Sequence, residues 1–315
     1  MGNLFENKNI SPMLLYESEP FNDDNFIFEL KLDGIRCLAY IDKLNVILHN
    51  KRYKDVSDIY PELMKMNKCI NKKCILDGEV ICVTNGKPDF YEVQKRSLMT
   101  DAFKINLSAK KNPVQFVAYD ILFLDKEDVT QLPLITRKKL LEENVKEGNN
   151  LSISRFIENE GKAFFSLAKE QKLEGIVAKE KSSKYLIGKR SKNWLKIKVM
   201  QDEDLIVCGY QPSENGDVKD LVLAYYDEKG NLKCRGKVYL GVSKGDQQKI
   251  KQFAKNNTIA NAWFPKYKNV VWLKLELVGT AHFMHATKTG GMRQPVWKGL
   301  RDDKSIKDCI IKKEN

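Results

Sequence analysis

In FELKLDGIRC, residues 28–37, a lysine, an aspartate, a glycine and an arginine stand at Lys31, Asp33, Gly34 and Arg36. On an extended strand successive side chains alternate, so Phe28, Leu30 and Leu32 share an apolar face and Glu29, Lys31 and Asp33 a polar one. Further charged groups sit on other short β-like runs: Asp77 and Glu79 in ILDGEV, Glu174 and Lys179 in LEGIVAK, Lys196 and Lys198 in WLKIK. The two-residue spacing of Asp77/Glu79 and of Lys196/Lys198 puts each pair on one strand face. A lysine acts as a nucleophile only when deprotonated, and its ordinary pKa is about 10.4. Nearby cations such as Arg36, Lys196, Lys198 and a bound metal ion would lower it. The same cations would neutralise phosphate oxygens, with Glu79 and Glu174 holding Mg²⁺ against them. The chemistry expected is attack of a lysine on phosphorus.

The elements that must position these groups alternate from Phe26 to Lys198. Short β runs (FIFEL, CLAYI, NVILH, CILDGEVICV, QFVAYDILFL, LSISRFI, GIVAKE, WLKIK) are interspersed with two helical patterns, TRKKLLEENVKEG and EGKAFFSLAKEQ, started by Thr136 and Glu160, the first stopped by Gly148. This half reads as mixed α/β (α+β) with antiparallel sheets. After QDED at 201–204 the runs are β (LIVCGY, LVLAYYD, LKCRGKVYL, NVVWLKLELVG), with turn signals ENGD and EKGN and one helix near Ser243. That is the pattern of a small all-β barrel such as an OB-fold with one helix. Two domains are expected, 1–202 and 203–315.

With 315 residues, 42% hydrophobic and 30% charged, the chain has material for two cores, and disorder is excluded as its general state. Its net charge of +12 suits a polyanionic partner. Residues 231–300 hold thirteen Lys or Arg, from Lys233 to Lys298, against only Asp246 and Glu276, so nearly the whole surplus sits there. Interleaved Tyr239, Trp263, Phe264, Tyr267, Trp272 and Trp297 are mostly core material in a small barrel, while the lysines suit phosphate contacts along a duplex. The helix SKGDQQKIKQFAKNN is equally a DNA contact or a solvated cap. Seven cysteines without a CxxC pair and three scattered histidines point to reduced thiols and no zinc site. His282 and His285, three apart on a strand, would face opposite ways. No apolar run approaches eighteen residues and no signal-peptide pattern opens the chain, so a cytoplasmic protein without a membrane partner is expected. The opening MGN lacks the Ser or Thr of a myristoylation site, Glu6 standing there.

K31-L-D-G-I-R36 resembles the KxDGxR signature of covalent nucleotidyltransferases, which include ATP-dependent DNA ligases, RNA ligases and mRNA capping enzymes. Further blocks follow in that superfamily's order: LDGEV at 76–80, FVAYD at 116–120, EGIVAK at 174–179, RSKNWLKIK at 190–198 and MRQPVWKGLRDDK at 292–304. SPMLLYESEPF, DVSDIYPEL and the last block are similar to bacterial ATP-dependent DNA ligases of the compact two-domain kind, related to the ligase module of end-joining enzymes.

The resemblance implies a nucleotidyltransferase domain followed by an OB-fold, ATP as substrate and Mg²⁺ (or Mn²⁺) as metal. By it Lys31 becomes a lysyl-AMP; Glu29, Arg36, Lys51 and Tyr119 contact the nucleotide, Tyr119 replacing the usual stacking Phe. Glu79 and Glu174, with Asp33, meet ribose or metal, and Asp77 supports the same turn. Lys179, Arg190, Lys196 and Lys198 contact phosphates, and Arg293, Arg301 and Lys304 orient the pyrophosphate, the barrel closing for the first step and swinging away afterwards. One block departs from the pattern. In HNKRYKDVSD the family has Arg at Lys51 and Gly at Tyr53, so either Lys51 or Arg52 is left to grip the 5′-phosphate of a nick. The partners implied are nicked or broken duplex DNA and DNA-end-binding or repair proteins, with the chain monomeric and, if bacterial, nucleoid-associated. An RNA ligase or capping guanylyltransferase shares the lysine signature, and use of GTP would mark capping. A non-catalytic nucleic-acid-binding protein of this fold is the other alternative, against which the intact Lys31, Glu79, Glu174 and Lys196 set stands.

Overall fold

The computed structural model describes residues 4–84, 86–287 and 289–311 and divides into two compact units, Met1–Val199 and Met200–Asn315. The expected boundary lay three residues further on. The β character begins within QDED itself, since Gln201 opens the long strand Gln201–Pro212 of the second unit.

The first unit is built on two sheets. One has five strands in the order Leu14–Glu17, Arg190–Lys198, Gly175–Glu180, Phe26–Leu30 and Phe156–Glu158, antiparallel except for its first, parallel pair. The other runs Val46–Asn50, Ile35–Ile41, Cys74–Thr84, Val114–Leu124 and Glu127–Asp128, with Lys87–Pro88 and Leu151–Ile153 at its sides. Alternation along the strands sorts their apolar residues into layers. Leu38, Tyr40, Ile75 and Leu122 face Ile27 and Trp194 between the sheets. Cys37, Ala39, Leu76, Val80, Phe116 and Ala118 point outward under Leu63, Met66, Val93 and Leu141. Phe28, Ile176 and Ile197 cover the far side of the five-stranded sheet with Ala168 of the helix Gly161–Glu170.

Several expectations change. The strand of FELKLDGIRC ends at Leu30, and the next begins at Ile35, so Lys31 and Asp33 lie on the connection and not on a strand face. Both faces of that strand are covered, with Phe28 at 0% exposure and Glu29 at 2%. LSISRFI is two strands, Leu151–Ile153 and Phe156–Glu158, in different sheets. The first helical pattern is a helix over Leu134–Asn144, entered through Pro133 and not Thr136 and ending before Gly148. Two further helices, Phe90–Ser97 and Ala102–Lys111, are capped by the carboxylates of Asp89 and Asp101.

The second unit is a curled antiparallel sheet in the order Leu232–Val238, Val218–Tyr226, Gln201–Pro212, Val278–Phe283 and Val296–Leu300, with Val271–Trp272 added to the Gln201 strand. Its α-helix, Lys244–Asn257, is capped by Ser243 and buries Ile250 and Ala254 against Leu205, Leu223 and Trp297. Asp246 of that helix accepts the Trp297 indole N–H at 3.0 Å, so the helix closes the core. This is the small OB-type barrel expected. His285 lies beyond the strand that carries His282, whose Nδ1 is 2.6 Å from Asp202. No helix among the described residues is long and apolar enough to cross a membrane.

Candidate active site

Within the first unit a cleft of about 790 Å³ opens between the sheets, and Glu29, Lys31, Arg36, Lys51 and Arg52 line it. Glu79, Tyr119, Lys179 and Lys196 line it as well, with Trp194. Glu174, Asp33, Arg190 and Lys198 do not. Arg293, Arg301 and Lys304 belong to the second unit.

Lys31 is held by its own backbone, whose N–H donates to Gly175 O at 2.9 Å, and its Nζ lies 2.7 Å from Glu174 Oε1. The amine expected among cations thus has a carboxylate as its direct neighbour. Arg36, over the Tyr119 ring at 5.6 Å, is held from behind. Its guanidinium forms a fork on Asp77 at 3.0 and 2.6 Å and donates to Met13 O at 2.7 Å, while Tyr185 donates its hydroxyl to the same Asp77 at 2.7 Å. Burial works against the charge of Arg36, and Asp77 outweighs it. Glu79 stands across the sheet from Arg36 in register. Burial pushes its carboxyl up to about 8, with Lys31 and Arg36 opposing the shift.

The floor is a buried charge cluster. Glu29 meets Lys138 at 2.7 Å and Lys179 at 3.0 Å and accepts the Ser154 hydroxyl at 2.9 Å. Burial alone would raise its carboxyl, but the two lysines bring it below its ordinary value. Lys179 lies 4.4 Å from the ring centres of both Tyr119 and Trp194, a cation–π position on each. Burial presses its amine down to about 8 against the pull of Glu29. Lys179 therefore sits against the aromatic rings of the cleft that it helps to line. Beside Tyr119, the fully buried Asp120 is clamped by Arg137 at 2.8 Å through both oxygens, which fixes the strand carrying the tyrosine.

Lys196 and Lys198 both reach Glu17 of the neighbouring strand, at 3.3 and 3.6 Å, and these lysines hold that carboxylate below its ordinary range despite partial burial. Arg190 donates to Leu15 O and lies 5.7 Å from the Tyr16 ring. Among the described residues no three His, Cys, Asp or Glu side chains gather into a preformed metal site. The donors near Lys31 still suit magnesium, which takes one or two carboxylates and fills its remaining positions with water and substrate phosphates. Glu79, which lines the cleft, and Glu174, 2.7 Å from the Lys31 amine, are such a pair.

Residues 13–198 match the family model described as ATP dependent DNA ligase domain, and residues 214–304 match ATP dependent DNA ligase C terminal region. This chain belongs to the ATP-dependent DNA ligases. The ligase is 36% identical over 220 residues to the SPbeta prophage-derived DNA ligase-like protein LigB of Bacillus subtilis, covering 69% of this chain and 76% of that one. It is 28% identical over 316 residues to the multifunctional non-homologous end joining protein LigD of Mycolicibacterium smegmatis, covering 96% of this chain but only 40% of that protein. Among solved structures, mycobacterial DNA ligase D complexed with ATP and MES superposes with a TM-score of 0.57 at 25% identity, covering 96% of this chain and 98% of that one. A Lig E DNA ligase shares the fold with a TM-score of 0.63 at 16% identity, over 93% of this chain and all of that one.

Within this ligase, sequence reasoning missed Lys138, Ser154, Trp194 and Tyr185. Trp194 had a legible signal, because it shares the two-residue alternation of Lys196 and Lys198 on one strand. Lys138, Ser154 and Tyr185 had none, since each reaches the site from a helix or loop far along the chain.

Proposed function

We propose that this ligase activates ATP at Lys31 and seals breaks between a 5′-phosphate and a 3′-hydroxyl in duplex DNA. Lys31 Nζ attacks the α-phosphorus, the bond from that phosphorus to the bridging oxygen breaks, and pyrophosphate leaves a lysyl-AMP. The adenylyl group then passes to the 5′-phosphate of the break, which frees the amine. Attack by the 3′-hydroxyl on the activated phosphorus expels AMP and forms the phosphodiester.

The observation that carries this reading is the position of Lys31 in a nucleotide-sized cleft that Glu79 and Tyr119 also line, its amine 2.7 Å from Glu174. Glu174 orients the amine, and Tyr119 offers adenine a π face stiffened from below by Lys179. Lys196, with Lys198 next along the strand, supplies charge for the phosphates, Glu17 giving way as they arrive. Glu79 and Glu174 would hold magnesium or manganese, which when bound supplies charge to the departing pyrophosphate. Lys51 or Arg52 meets the 5′-phosphate at the cleft lip, and Arg293, Arg301 and Lys304 of the second unit serve the pyrophosphate. The first unit is then the adenylation domain. The likeness to end-joining proteins supports nicked or broken duplexes as substrate and DNA-end-binding proteins as partners, with the ligase a monomer in the cytoplasm at the nucleoid.

The test is intact mass after incubation with Mg²⁺ and ATP, GTP or NAD, followed by sealing of a nicked duplex. ATP alone should add the mass of AMP, and Lys31→Ala should abolish both the adduct and sealing. An adduct that survives Lys31→Ala sinks the reading.

A further inference from the structure

Residues 50–54 form a tight turn whose Lys51, Arg52 and Lys54 line the same cleft as Lys31. Asn50 stitches it together. Its carbonyl accepts the Tyr53 N–H at 3.0 Å, its N–H donates to Lys54 O at 3.0 Å, and its side-chain Oδ1 accepts from Arg52 N at 2.9 Å and Lys54 N at 3.2 Å. A turn so closed requires one residue in the left-handed region, and that residue is Tyr53, at φ +62. A side chain disfavours this backbone, which is why glycine suits the position in the family pattern. Burial does not recompense the tyrosine, because 48% of it is exposed.

Its hydroxyl does something specific. It is hydrogen-bonded to the Ser11 hydroxyl, forty-two residues away. Ser11 is itself fixed: its carbonyl accepts the Gly188 N–H at 2.9 Å, and a Cβ on Gly188 would stand only 3.1 Å from the Ser11 Cβ. The Ser11 segment leads into the Leu14–Glu17 strand, which pairs with the strand bearing Lys196. One hydroxyl pair therefore ties the cation-bearing turn to the framework that carries the other phosphate-facing lysine.

We propose that Tyr53 is a positioning residue for DNA: through Ser11 it holds the Lys51–Lys54 turn at the cleft lip so that its cations meet the 5′-phosphate of a nicked strand. A side-chain anchor here replaces the intrinsic turn preference that glycine has in the family pattern. The inference rests on the reading of this cleft as the ligation site.

The test uses the full chain and two nicked duplexes, one with a 5′-phosphate and one with a 5′-hydroxyl, with binding followed by fluorescence anisotropy in EDTA to prevent turnover. Wild type should prefer the 5′-phosphate nick. Tyr53→Phe should weaken binding of that nick about fivefold, the worth of one hydrogen bond, and of the 5′-hydroxyl nick less than twofold. Ser11→Ala should do the same, and the double variant should be no worse than either single one, because both remove one contact. Tyr53→Gly separates positioning from mere folding: it relieves the backbone and should not lower Tm, yet it should lose the same preference. An unchanged preference in Tyr53→Phe, equal losses on both nicks, or additive losses in the double variant would overturn the role. A wild type that never gains AMP from ATP would instead sink the reading of the cleft itself.

Discussion

Lys179 keeps a charge where the surroundings disfavour one, and that has a consequence for stability. Burial lowers its folded pKa to about 8, while the unfolded chain keeps the ordinary lysine value. Between about pH 8 and 10.5 the unfolded state therefore binds the extra proton, and the contribution of Lys179 to stability rises with pH in that window. Below pH 8 both states are protonated and the cost of burying the ammonium is present in full, offset by Glu29. Urea unfolding of wild type and Lys179→Met from pH 7 to 10 should show wild type gaining on the variant as pH rises. A constant or shrinking difference would mean that Lys179 is not desolvated as described. This behaviour was invisible in EGIVAK, where the resemblance implied a phosphate contact for Lys179. What makes it a buried cation is Trp194 and Tyr119 around it and Lys138 competing for the same carboxylate, all distant in the chain. Lys31, Glu79 and Tyr119, in contrast, were named from blocks that resemble those of the family, and all three line the cleft.

The connections carry as much of the site as the strands do. Lys31 stands on a four-residue link because the chain must pass the Cys74–Thr84 strand at close range: a Cβ at Gly34 would stand 2.4 Å from Val80 O and 2.8 Å from Glu79 Cγ. Gly175, which accepts the Lys31 N–H, has φ +140, and a Cβ there would stand 2.1 Å from Ile197 O. Two glycines thus set where Lys31 stands. Gly34→Ala should displace Lys31 and Glu79 together. Because misplacement by about 1 Å can cost a hundredfold in rate, adenylylation followed by mass should slow at least tenfold, with far-UV circular dichroism retained. A variant that reacts at the wild-type rate would show that the link has slack. The strands themselves were legible from alternation and β-branched runs, and so was the second unit's single helix. The helices Phe90–Ser97 and Ala102–Lys111 were not, the first for its shortness and the second because Phe103 at 78% and Leu107 at 57% exposure break the expected one-sided apolar pattern. Their Asp89 and Asp101 caps were the available signal.

For the molecule as a whole, the surplus of charge in residues 231–300 overstates what DNA can meet. Lys233, Arg235, Lys237, Lys249 and Lys251 are paired with Asp227, Glu203, Asp220, Asp302 and Asp217, every one of them outside that stretch. Folding brings acidic neighbours that a count along the chain omits, and Lys288 lies outside the described residues. Arg235 is the clearest case: 5% exposed, it forks onto Glu203, donates to Gly290 O at 3.0 Å and sits by the Tyr225 and Phe283 rings. Lys244, Lys255, Lys266, Lys268, Lys274 and Lys298 have no carboxylate partner among the described residues, and they are the cations available to phosphates. Each phosphate neutralised contributes about 0.9 to the slope of log affinity against log salt, so thirteen contacts would give a slope near −12. The slope from this unit should be well below that. Arg235→Ala should leave it unchanged while lowering stability by about 1–3 kcal/mol, because the buried guanidinium is lost and the half-buried Glu203 is left without its partner. Lys266→Ala with Lys268→Ala should do the reverse, flattening the slope by about 2 with little change in Tm. Anisotropy titrations of duplex DNA from 50 to 300 mM KCl measure both, and a flattened slope in Arg235→Ala would show that the buried cation reaches DNA after all.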